Sequence, residues 1–184
     1  MKTFLFGLLL GIFVVPLVAY AYFMSGSAPV ATSAPPMPFE RMLAGSALNA
    51  RIAKEMPKTS PIPAEEATYS AGAQIYRENC AVCHGLPGGQ PTAIAKGMYP
   101  HVPQLFHGKG VTDDEPGETY WKVANGIRLT GMPGFKQSLS ETQMWQVSLL
   151  LANADKLPDS VKQALVAAPA APQSVPSQPV APTK

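Results

Sequence analysis

One pentapeptide constrains this chain more than any other feature: Cys80-Ala81-Val82-Cys83-His84. It contains both cysteines of the 184 residues. The C-x-x-C-H spelling is that of covalent c-type haem attachment. Two thiols three residues apart on one helical turn reach the two vinyl groups along one edge of a porphyrin. The next residue then lies under the ring, where its imidazole ligates the iron.

Other chemistries account for the motif less well. A thioredoxin-like redox pair is expected beside a βαβ pattern, and none surrounds this one. A zinc site needs four ligands. Cys80, Cys83, His101 and His107 supply the number, but the gap after Cys83 exceeds the finger spacing and His84 is left idle. A disulfide across two residues of a helix would be strained. The expectation is therefore one haem c, covalently held by Cys80 and Cys83, with His84 as the proximal ligand.

The ligand on the opposite face of the ring must come from elsewhere in the chain. Of the eight methionines, five precede the region of interest. Met98 follows His84 closely, and Met144 sits in an apolar helical run where a core role is expected. Met132 lies in Thr130-Gly131-Met132-Pro133-Gly134-Phe135, an irregular loop whose glycines and proline let backbone approach a ring. Met132 is thus the expected distal ligand, since a Met opposite a His is the electron-transfer pairing. His101 and His107 are the alternatives.

Residues 4–23 are uncharged and almost wholly apolar. As a helix they would span about 30 Å, the hydrocarbon thickness of a bilayer. Lys2 is the one charge before Glu40, so the positive-inside rule keeps the N-terminus cytoplasmic and exports the rest. Residues 1–24 are read as a transmembrane anchor. A cleaved signal peptide is the rival, with Ala19-Tyr20-Ala21 as an A-x-A site. The expected location is the bacterial cytoplasmic membrane with the haem domain facing the periplasm, or a soluble periplasmic protein if the segment is removed.

Residues 25–67 are read as a Pro/Ala-rich linker. Within it, Phe39, Met42, Leu43, Leu48, Ile52 and Met56 are spaced as one face of a short helix. That helix is expected either to lie on a membrane or partner, or to be marginal and solvated. Residues 68–157 form the expected haem domain. Its helices are expected over 70–81, from about Asp113 to Gly126, and from Ser140, where Gln143 completes a capping box, to Ala152. No run alternates as a strand does, so the fold class is all-α. Three short helices bury little surface for such a length, and the haem is expected to supply the missing core. Residues 158–184, rich in Ala, Pro, Val, Gln and Ser, are read as a disordered tail. The net charge of +2 and the lack of any basic run exclude a nucleic-acid partner.

In order along the chain stand Tyr76-x-x-x-Cys80-x-x-Cys83-His84-Gly85, Pro103-Gln104-Leu105, Gly126-Ile127, Gly131-Met132-Pro133-Gly134-Phe135 and Leu139-Ser140-x-x-Gln143-x-Trp145. This pattern resembles class I c-type cytochromes. It is most similar to the membrane-anchored monohaem branch that includes the cytochrome c subunit of cbb3-type oxidases. The resemblance covers about half the chain. It implies crossed first and last helices, with Gly72 and Trp145 as candidates for the crossing. It implies that a backbone carbonyl in Pro87-Gly88-Gly89-Gln90-Pro91 orients the proximal His. It also implies electron transfer as the activity, with His84 and Met132 on the iron, and no substrate turned over by this chain alone. The expected role is a membrane-tethered carrier of single electrons between respiratory complexes. A fixed subunit of a larger oxidase or quinol-oxidising complex is the alternative. A haem peroxidase or gas sensor would need an open iron position, which a Met ligand closes.

Overall fold

The computed structural model describes residues 2–106 and 114–167, with side chains of 2–6, 8 and 9 left out. Among the described residues every regular element is a helix. In order these are α1 (Lys2–Met24), α2 (Glu40–Glu55), α3 (Glu66–Asn79), α4 (Ala81–His84), α5 (Ala93–Lys96), α6 (Pro116–Asn125), α7 (Glu141–Ala152) and α8 (Asp159–Val166).

Local chemistry places the ends of these helices. At the start of α7 the Gln143 amide donates to Ser140 Oγ at 3.2 Å, and the Ser140 amide donates back to Gln143 Oε1 at 2.9 Å. This reciprocal pair satisfies two of the helix's orphan donors. Pro116 opens α6 at a position where a missing N–H costs nothing. Gly126 closes α6 with φ +67°, a conformation that L side chains rarely adopt.

The core forms where α3 packs on α7 and α8, and α6 packs on α7. Ala73, Tyr76, Val147, Leu150, Val161 and Leu165 are fully buried there. The α3–α7 crossing turns on Gly72. A Cβ at this position would overlap the Gln146 carbonyl oxygen and sit 3.1 Å from Leu150 Cβ. Trp145, the other crossing candidate, serves elsewhere: its buried indole stacks on Tyr120 of α6, centroids 4.4 Å apart.

Two expectations about the flanks change. The sequence 158–184 is not a uniformly disordered tail, because α8 docks on α3 and buries Val161 and Leu165. Arg77 strengthens that contact by donating to the Ala164 carbonyl at 3.2 Å. Ala and Val in the tail are what made the composition look featureless, yet their helical spacing supplies an apolar face. Residues 168–184 lie outside the described residues. In 25–67, α2 is not a wholly solvated helix: Ile52 is buried at 2% exposure and α2 packs on α6, while Phe39, Met42 and Leu43 stay exposed. A short helix, α5, also forms in what was read as loop, capped by Thr92 Oγ1 accepting from the Ala95 amide at 3.1 Å.

Helix α1 has 23 residues, and among the described residues it packs on no other element. Among the described residues no helix is long and apolar enough to cross a membrane; described side chains on α1 are those of Gly7 and 10–24.

Two substitutions test this packing. Gly72→Val, which forces a side chain into the crossing, should cost roughly 1–3 kcal/mol in chemical denaturation of the haem-loaded protein. Leu165→Ala should cost roughly 2–5 kcal/mol in the same assay; unchanged stability would mean that α8 is not part of the domain.

Candidate functional site

The site begins where α3 ends. The Cys80 amide donates to the Tyr76 carbonyl at 2.8 Å, which carries the helical path into the motif. The Cys83 and His84 amides then both donate to the Cys80 carbonyl, at 3.1 and 2.9 Å. Cys80, Cys83 and His84 therefore share one tight turn, α4, as attachment along one porphyrin edge requires. Gly85, with φ +73°, ends it. The Tyr76 hydroxyl donates to the Gly85 carbonyl at 2.7 Å. Tyr76 is fully buried and meets Phe106 edge to face, centroids 5.0 Å apart. Its phenol thus ties the end of the motif turn to the last turn of α3.

His84 Nδ1 lies 2.8 Å from the Pro103 carbonyl oxygen. A carbonyl only accepts, so Nδ1 carries the proton and Nε2 keeps its lone pair for a metal. Burial pushes the imidazole pKa down, with the Pro103 bond acting against it. The net lowering favours the neutral imidazole, and the Pro103 bond fixes its tautomer. The carbonyl that orients His84 is therefore not in residues 87–91, as the resemblance implied. That loop closes on itself instead, with the Gly89 amide donating to the Leu86 carbonyl at 2.9 Å. Thr92 just beyond it donates from Oγ1 to the Val82 carbonyl at 2.7 Å, bracing the outer side of the motif turn.

Beside this turn lies a cavity of about 440 Å³. Its lining includes Cys80, Cys83 and His84 on one side and Met98, Ile127 and Met132 from the loops. Burial pushes the Cys80 thiol up to about 12, with Cys83 adding to the shift. Before attachment this sulfur is therefore a protonated, apolar wall atom. Lys122 is the one Lys or Arg among the described lining residues. Burial opposes its charge, but Glu118 at 2.7 Å and Asp114 at 2.9 Å hold its pKa above the ordinary lysine value.

The loop carrying Met132 is held at both ends. The Ile127 amide donates to the Met132 carbonyl at 3.1 Å, and the Met132 amide donates to Thr130 Oγ1 at 3.1 Å. The Phe135 and Lys136 amides return to the Val123 and Ala124 carbonyls of α6. Of the alternatives, Met144 is buried in the core away from the cavity. Met98 and His101 line the cavity with Met132. His107 lies outside the described residues.

The donor set suits a haem. Two thiols sit on one turn, an imidazole presents a free Nε2, and thioether sulfurs share the same apolar cavity. When bound, the haem supplies a one-electron couple. Cys80 and Cys83 would hold its edge, His84 would ligate one face of its iron, and Pro103 would keep that imidazole from rotating. Sequence reasoning had not found the roles of Tyr76, Pro103 and Thr92 here. Tyr76 and Pro103 belong to the motifs that carry the resemblance, but those motifs do not say what either residue holds, and Thr92 belongs to none of them.

The profile of the family described as cytochrome C oxidase, cbb3-type, subunit III matches residues 67–149. Cytochrome c6 of Limnospira maxima is 33% identical over 79 residues, which are 43% of this chain and 84% of that protein. Among solved structures, the reducing HAO-like protein complex of Kuenenia stuttgartiensis is similar at 25% identity with a TM-score of 0.45. The match covers 53% of this chain and 50% of that one, so the chain spans half the length of that structure. The matched stretch of cytochrome c6 is nearly a whole protein of that kind. The chain therefore belongs to the class I c-type cytochromes, similar to the cytochrome c subunit of cbb3-type oxidases, with one haem c covalently bound.

Proposed function

We propose that this cytochrome is a membrane-tethered carrier that takes one electron from a reduced respiratory complex and gives one electron to an oxidised one, on the periplasmic side. No atoms are transferred. The observation that carries this reading is the cavity that His84 and Met132 share. A His–Met pair closes both axial positions and leaves no place for substrate chemistry. The protein's own levers on the potential are the Met132 sulfur, the Pro103 bond to His84 and the exclusion of water from the ring.

Helix α1 supports the tether. Ile12, Phe13, Val15, Leu17, Val18 and Phe23 are all more than half exposed, and among the described residues no other element packs on α1. The described side chains over 10–24 are uncharged on every side of the helix, and such a surface favours an apolar surrounding. A fixed subunit of a larger oxidase is the second reading, favoured by the description of the matching family. Electron transfer is common to both. Co-purification in mild detergent separates them: a stable oxidase complex supports the subunit, and a lone cytochrome supports the shuttle.

Three outcomes are expected. Denatured protein should keep its haem through acid-acetone extraction, and Cys80→Ala or Cys83→Ala should sharply lower the yield of haem-loaded protein. The oxidised protein should show the weak near-infrared sulfur-to-iron charge-transfer band, and Met132→Ala should abolish it and open the iron to added imidazole. Survival of the band in that variant would move the assignment to Met98. Finally, the protein should remain with membranes after a high-salt wash, whereas release into the wash would end the anchor reading.

A further inference from the structure

The family match begins at residue 67, yet the cavity wall does not. Leu48 of α2 lines it beside Thr119, Lys122 and Val123 of α6. We infer that Leu48 is a haem-contacting residue, and that α2 is a strap which closes one side of the haem cavity from outside the family domain. The inference rests on the reading of this cavity as the haem site.

The strap is fastened on both sides of the cavity. At its C-terminal end Ile52 is buried at 2% exposure, one turn beyond Leu48 on the same face. Trp121 Nε1 of α6 donates to Glu55 Oε2 at 3.1 Å, and Arg51 holds the other oxygen, Oε1, at 2.7 Å. That Trp121 bond is the main reason the Glu55 carboxyl sits below its usual range. The Pro57 carbonyl then lies against Gly117, where a Cβ would overlap it. At its N-terminal end Arg41 stands over the Tyr99 ring, 5.9 Å from its centroid. Tyr99 adjoins Met98 and Pro100, which line the cavity from the opposite loop. The helix thus runs from the Met98 loop to α6, and Leu48 is the side chain it turns inward between the two.

An apolar residue at this place keeps water from the ring. Oxidised haem carries one more positive charge than reduced haem, and a drier, less polar surrounding disfavours the oxidised state. Burial of this kind is one of the general levers on haem potential. Leu48 therefore raises the potential and slows entry of small ligands, without touching the covalent or axial bonds.

The test uses the full-length, haem-loaded protein with leucine methyls isotopically labelled. In the reduced wild type, Leu105 and Leu151 also line the cavity, and among the leucine methyl signals displaced by the haem ring current one pair should vanish in Leu48→Ala. Leu48 methyls at ordinary shifts would overturn the inference, with no need for any variant to be stable beyond that used for assignment. In Leu48→Asn the midpoint potential should fall and imidazole should bind faster, while covalent haem and the near-infrared Met band persist. An unchanged potential and binding rate, with haem and band intact, would overturn the strap and leave the haem reading standing. Wild-type protein without covalent haem would overturn both.

Discussion

Everything at the haem site depends on how closely α3 and α7 cross. Because Gly72 has no side chain, the Gln146 carbonyl and Leu150 reach the α3 backbone directly. That contact sets the direction in which α3 leaves the core, and the C-x-x-C-H turn is its continuation. Tyr76, one turn beyond Gly72, relays the placement. Its buried ring packs in the core, and its hydroxyl holds the Gly85 carbonyl just past His84. A shift at the crossing would therefore be felt at the His84 imidazole, because close-packed interiors transmit displacement rather than absorb it.

The apolar core and the cavity divide the domain between them. The core gathers on the α3–α7–α8 side, whereas the cavity opens between the motif turn, α6 and the long loops. The loops reach the core through a few apolar side chains, among them Leu86, Leu105, Phe106 and Phe135. They are held by single hydrogen bonds, such as Pro103 to His84 and Phe135 to Val123. A covalently attached haem fills the space those loops surround, which is how a domain of this size completes a core it cannot build from side chains.

The segments outside the family match do more than connect. Helix α8 completes the back of α3, and α2 lies along the cavity. With α2 docked on α6, residues 25–67 do not form the uniform coil that their composition suggests.

The cofactor was legible from five residues, because covalent attachment dictates an invariant local spacing that any fold must present on one turn. The all-α class, the capping box at Ser140 and the glycine closing α6 were legible for the same reason, as each is a property of neighbouring residues. What the sequence could not convey were contacts between residues far apart along it. His84 takes its orienting carbonyl from Pro103 rather than from the adjacent glycine-rich loop. Gly72 meets Gln146 rather than Trp145, and Leu48 reaches a cavity that starts beyond Cys80. The apolar stripe on α2 did not distinguish Leu48 and Ile52, which turn inward, from Phe39, Met42 and Leu43, which stay exposed. Only tertiary packing decides such pairings, since burial rewards any apolar surface and geometry alone selects which one comes within reach.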